Sequence, residues 1–127
     1  MIKVACALIY SEIGLLLAQR KDNEKWEFPG GKLEIGETVD QCIVREIEEE
    51  FNIHVEPKKI VGTIKFNGYE LIFIECDLSN SIEMTCLKDH INICWINAMS
   101  EFDALNAELL EADQLFIEKF RYKLRVP

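Results

Sequence analysis

Residues 31–53, GKLEIGETVDQCIVREIEEEFNI, constrain the fold of this chain more than any other stretch. Behind a glycine turn, Val39, Ile43, Ile47 and Phe51 recur every fourth position and form the stripe of a helix facing a core. Thr38, with Gln41 three residues later, is a capping-box pattern, so the helix is predicted to start there. Asn52 stands where a helix ends in a left-handed residue, a position Asn takes when Gly is absent. At about 100° per residue, Glu46, Glu49 and Glu50 share an arc of roughly 100° beside the stripe, while Glu48 points away. Like charges so close repel unless a cation neutralises them. Taken alone such an arc is most often a solvated helix face; with the rest of the pattern around it, it reads as a metal site.

Gly31, Glu37, Arg45, Glu46, Glu49 and Glu50 fall in the order G-x5-E-x7-R-E-apolar-x-E-E. Six such residues coincide by chance about once in 10^6 to 10^8 start positions, which rules out accident. The pattern resembles the signature of the Nudix hydrolases, and departs from it only at the late glycine, here Asn52. Leu16–Arg20, Trp26–Lys32 (WEFPGGK) and Ala112-Asp113 resemble segments of the MutT-type branch, so the likeness touches the chain from about residue 4 to residue 120.

That resemblance implies an α/β fold, the Nudix α/β/α sandwich in which helices cover a curved mixed sheet. It implies metals held by Glu46, Glu49 and Glu50 with the Gly30 carbonyl, and an Arg45 that orients Glu37 or the helix carboxylates. A further acid is expected six residues before Trp95, which is Asp89, where relatives have Glu; ligand and base both stay open for it. The proton acceptor is Glu49, Glu50 or Asp89. Arg20, Phe28 and Asp113 are expected to shape the base pocket, although Asp113 at a helix start also reads as a cap or first-turn acid.

A chain of 127 residues reads as one domain, 1–127. Its formal net charge of −9 and lack of a basic stripe exclude a nucleic-acid polymer as partner. If the substrate is a polyphosphate, both partners are anions, and Mg²⁺ or Mn²⁺ must bridge them. The absence of a long apolar run or a basic leader predicts neither a membrane span nor a secretion signal. Five cysteines without C-x-x-C spacing read as reduced core thiols in a cytoplasmic protein. No protein partner is implied. There is no P-loop and no G-x-S-x-G. His54 and His90 lack partners at ligand spacing and are expected to be solvent-exposed or loop residues.

Along the chain, 2–10 and 14–19 are predicted to be paired strands, and Trp26–Lys32 a turn or short strand. Val55-Glu56-Pro57 is expected to break the chain before a strand over Lys59–Phe66. Asn67-Gly68 marks a hairpin returning through Tyr69–Cys76, with further strands at Ile82–Cys86 and Ile91–Ile96. Asn97 is expected to cap a short helix over 98–103. A last helix over Ala112–Lys123 should bury Leu115, Phe116 and Phe120.

The expected reaction is hydrolysis of a nucleoside triphosphate to a monophosphate and pyrophosphate, a nucleotide-pool sanitation activity. An oxidised guanine nucleotide such as 8-oxo-dGTP and a cytidine nucleotide are the leading substrates. Other readings are a diadenosine polyphosphate or ADP-ribose substrate, a non-catalytic nucleotide sensor, or an isoprenyl diphosphate isomerase.

Overall fold

The computed structural model describes residues 1–78 and 87–127; the strand predicted at Ile82–Cys86 lies outside them. Strand β1 (Ile2–Ser11) turns back into β2 (Gly14–Arg20). The short strands β3 (Trp26–Glu27) and β4 (Gly30–Lys32) lead into helix α1 (Val39–Phe51). Strands β5 (Val55–Phe66) and β6 (Tyr69–Leu78) follow, and then β7 (His90–Ile96), α2 (Met99–Leu105) and α3 (Glu111–Phe120). Among the described residues the seven strands make one sheet, ordered β3-β2-β1-β6-β5, with β4 on β1 and β7 on β2. The β1–β6 pair is parallel and the other pairs are antiparallel, so the sheet is mixed.

Strand alternation divides the core. Ala5, Ala7 and Ile9 of β1 pack with Ile43, Ile47 and Phe51 of α1, whereas Cys6 and Leu8 pack with Phe28, Phe73, Phe102 and Phe116. Covered on both faces, β1 is buried continuously from Ala5 to Ile9. Helix α1 starts as its sequence predicts: the Thr38 hydroxyl accepts the Gln41 backbone N–H (3.1 Å) and the Gln41 side-chain Oε1 accepts the Thr38 N–H (3.0 Å). It ends at left-handed Asn52, φ 55°. Asn67 and Gly68 both have positive φ and close the β5–β6 hairpin. Cys6, Cys42 and Cys76 are buried free thiols, and Cys94 is half-buried. No helix among the described residues is long and apolar enough to cross a membrane.

Four expectations are corrected. Pro57 does not break the chain, because β5 is an edge strand that lets it sit beside irregular pairing between Pro57, Ile60 and Gly62. The short helix begins after Ala98 rather than Asn97, and the Glu101 carboxylate accepts both the Asn97 and Ala98 N–H groups. The last helix turns Ala112, Asp113, Phe116 and Ile117 inward, which rotates Leu115 into solvent, and it tightens into a 3-10 turn over Arg121–Lys123. His90 is buried, for reasons that belong to the site.

Candidate active site

The acidic face of α1 is organised by Arg45. Its guanidinium grips Glu37 with two bonds, Nε to Oε2 at 2.6 Å and Nη2 to Oε1 at 2.9 Å. Its Nη1 donates to Glu46 Oε1 at 2.9 Å and lies 3.4 Å from Glu49 Oε2. Glu37 also accepts the Glu34 N–H, and the Arg45 fork holds its carboxyl down at about 2. Arg45 and Glu37 thus set the position of Glu46 from outside the cleft.

Glu46 and Glu50, one turn apart, line a cleft of about 370 Å³ with Gly30 and Asp89. Here glycine is required by space: a β-carbon on Gly31 would overlap the Glu46 carboxylate, and one on Gly30 would overlap the Ala5 carbonyl. Burial raises the Glu46 pKa against the opposing pull of Arg45. Glu49 does not line this cleft; its side chain is 53% exposed. Among the described residues no three His, Cys, Asp or Glu groups are already gathered at metal-holding distance. The donor chemistry nonetheless fits a hard divalent cation, because two carboxylates project into the cleft from a helix end that carries no basic residue in its last turn.

His90 was missed by sequence reasoning, and so was its partner Glu27. The imidazole is 6% exposed, with Nδ1 2.6 Å from Glu50 Oε1 and Nε2 2.8 Å from Glu27 Oε2. Burial disfavours the imidazolium, but the two carboxylates outweigh it and raise the pKa of His90. Asp89 adds its own N–H to Glu50 Oε1 at 2.6 Å and stays exposed at the cleft edge. The one available signal was position: His90 follows the acid placed six residues before Trp95 and opens a strand paired with Arg20. His54 is exposed, as expected.

A second cleft of about 410 Å³ shares Arg20, Glu27 and Gly30 with the first, and it contains Asp113, Phe28 and Tyr69. Asp113 sits in the first turn of α3, 2% exposed, and its Oδ1 accepts the Phe28 N–H at 3.1 Å. Burial, with the charge of Glu27, pushes its carboxyl well above the ordinary range. The Phe28 ring itself belongs to the core, edge-on to Phe73, Phe102 and Phe116. Arg20 bonds Asp22 through Nε (2.9 Å) and Nη2 (2.7 Å), and Glu27 through Nη1 (3.2 Å). A larger open groove of about 940 Å³ lined by α2 and α3 receives no residue of α1.

The NUDIX domain family model matches residues 1–120. The chain belongs to the Nudix family. A MutT-like protein of Streptomyces ambofaciens is 35% identical over 97 residues, which are 75% of this chain and 62% of that protein. The 8-oxo-dGTP diphosphatase of Haemophilus influenzae is 44% identical over 57 residues, covering 41% of this chain and 42% of that enzyme. The CTP pyrophosphohydrolase of Escherichia coli is 44% identical over 67 residues, half of each chain. The match thus spans less than two thirds of the length of each of these relatives. Among solved structures, the MutT protein of Methanosarcina mazei Go1 superposes with a TM-score of 0.80 at 27% identity, covering 96% of this chain and 94% of that one. The Nudix sandwich is therefore the fold of this chain.

Proposed function

We propose that residues 1–127 act as one Nudix domain hydrolysing a nucleoside triphosphate to a monophosphate and pyrophosphate, on an oxidised guanine or a cytidine nucleotide. One observation carries this reading: an acidic cleft and a cleft with a buried carboxyl share the wall formed by Arg20, Glu27 and Gly30. A nucleotide has the matching layout, with a base at one end and phosphates at the other. The relatives named 8-oxo-dGTP diphosphatase and CTP pyrophosphohydrolase support the two bases.

In this reading Glu46, Glu50 and the Gly30 carbonyl hold Mg²⁺ or Mn²⁺ in the cleft, and Glu49, exposed beside it, joins them by turning its side chain inward. When bound, the cation lowers the pKa of water and neutralises charge on the leaving pyrophosphate. Glu50, whose Oε1 already takes up the Asp89 N–H and His90 Nδ1, serves as a ligand. Asp89, exposed at the cleft edge, takes the proton from water in this reading. Arg45 and Glu37 position Glu46 without touching substrate. Asp113, whose carboxyl burial pushes well above the ordinary range, accepts hydrogen bonds and when protonated also donates one, so it suits the N1–H and N2 edge of guanine or the N4 amine of cytosine. Arg20 borders both clefts and faces the nucleotide between base and phosphates.

A second reading, a diadenosine polyphosphate, is favoured only by Tyr69, whose ring lines the second cleft with Lys32 Nζ 5.6 Å from its centre. A phosphate-release screen over nucleotides with Mg²⁺, with and without added pyrophosphatase, tests both. Phosphate that appears only with pyrophosphatase, from 8-oxo-dGTP or CTP, is the expected result. Turnover confined to diadenosine polyphosphates would favour the second reading, and no turnover of any nucleotide would overturn both.

A further inference from the structure

Four polar side chains from four parts of the chain run in a line through the wall between the clefts. Arg20 Nη1 meets Glu27 Oε1 at 3.2 Å, Glu27 Oε2 meets His90 Nε2 at 2.8 Å, and His90 Nδ1 meets Glu50 Oε1 at 2.6 Å. We infer that His90 is a positioning residue that fixes the Glu50 carboxylate for the cation and the Glu27 carboxylate for the nucleotide cleft, so one ring sets both ends of the site. The inference rests on the function proposed above, because Glu50 is a metal ligand only in that reading.

The geometry leaves the ring little freedom. Both nitrogens are engaged, and one face stacks on Phe51, with ring centres 5.6 Å apart and planes 22° apart. Phe51 is the next residue after Glu50 on α1, so the helix end holds the ring and the ring in turn holds the helix carboxylate. Glu50 Oε1 receives a second bond, the Asp89 N–H at 2.6 Å, so the consecutive residues Asp89 and His90 converge on the same oxygen. Two donors on one atom fix the rotation of a carboxylate more tightly than one. Glu27 is held comparably, by Arg20 on one oxygen and His90 on the other. Helix α1 and strand β3 share no backbone pairing, and the imidazole bridges their two carboxylates.

A histidine that merely filled the core would be replaceable by any residue of similar volume. A positioning histidine has two separable jobs. An Asn amide nitrogen reaches the place of Nδ1, and a Gln amide nitrogen the place of Nε2. His90→Asn therefore preserves the bond to Glu50, and His90→Gln the bond to Glu27. Each variant, with His90→Ala, is titrated with Mn²⁺ in the absence of nucleotide, the free ion being read by electron paramagnetic resonance. The second readout is the ratio of kcat/KM between the best and a poor nucleotide.

The Mn²⁺ Kd should rise on the order of tenfold in His90→Ala and His90→Gln, and stay within about twofold of native in His90→Asn. The selectivity ratio should fall in His90→Ala and His90→Asn and persist in His90→Gln. Should His90→Ala fail to fold, the opposite patterns of the Asn and Gln variants still carry the test. Asn and Gln variants alike in both readouts, or losses that simply follow melting temperature, would overturn the inference. A native protein without saturable Mn²⁺ binding would overturn the proposed function itself, an outcome seen before any variant is made.

Discussion

The buried carboxyl of Asp113 accepts the backbone N–H of Phe28 at 3.1 Å, tying the first turn of α3 to the segment between β3 and β4. This bond occupies one lone pair of Oδ1 and leaves the group able to read a base as well as to brace the fold. The two roles separate in kinetics. Asp113→Asn and Asp113→Ala should lower kcat/KM for the preferred base by about 1–3 kcal/mol while poor substrates barely change. A uniform loss across all bases, tracking a lower melting temperature, would leave bracing as the sole role.

Asp113 also sets a pH dependence of stability. Its folded pKa lies well above the ordinary 3.8, so the folded state binds the proton more tightly than the unfolded chain. The stability contributed by the neutral acid is fully present below 3.8 and is lost as pH rises through the folded pKa. Melting temperature measured from pH 4 upward, without metal, should show this fall, and Asp113→Asn should flatten it. An unchanged slope in the variant would assign the dependence to other groups.

Removing charge from the helix carboxylates tests the metal site. Glu46→Gln and Glu50→Gln keep shape and should each reduce turnover by at least about 10²-fold, with Glu49→Gln alongside. Mg²⁺ should raise the native melting temperature, because binding to the folded state alone stabilises it, and the shift should shrink in the variants. Normal turnover of the variants at saturating Mg²⁺ would remove these glutamates from the reaction.

Arg45→Lys should lose the two-pronged hold on Glu37 and weaken turnover by about 10-fold or more, since an ammonium is not a planar fork. In the native protein the Glu37 carboxylate, held at about 2, contributes stability that is present above 4.5 and lost as pH falls through about 2. Acid titration of Glu37→Gln, followed by circular dichroism, should lack that component. Full activity of Arg45→Lys would show that charge alone suffices.

Hydrolysis in ¹⁸O-water should place the label in the nucleoside monophosphate, as expected for attack at the phosphorus on the nucleoside side. Label confined to pyrophosphate would reassign the bond cleaved.

What was legible in the sequence was local. Thr38, Gln41 and Asn52 mark the ends of α1 through contacts a few residues apart, and Asn67-Gly68 marks its hairpin because the turn geometry demands those residues. The misreadings depended on distant neighbours. Pro57 is tolerated because β5 has no partner on its outer side among the described residues, a fact of topology rather than of the tripeptide around it. The phase of Leu115 is set by what α3 packs against. His90 pairs with groups 40 and 63 residues away, so no spacing rule could have connected it to them. Of the predicted site residues, Glu46, Glu50, Gly30, Asp89 and Arg20 meet at one cleft, and Asp113, Phe28 and Arg20 at its neighbour. Glu49 stands outside, because an arc on a helix surface is wider than the mouth of a cleft.

The parallel pairing of β1 with β6, Ile2 against Tyr69, governs how the chain reaches this state. Strand β1 cannot complete its hydrogen bonding until β6 (Tyr69–Leu78) has been made, and closing so long a loop must precede any reward from the contacts it brings. Helix α1, with its self-repelling acids, is synthesised before the sheet that receives it is whole. During synthesis a nascent fragment holds the α1 glutamates without a platform beneath them. The proposed hydrolytic role thus depends on the finished topology, and not on the helix alone.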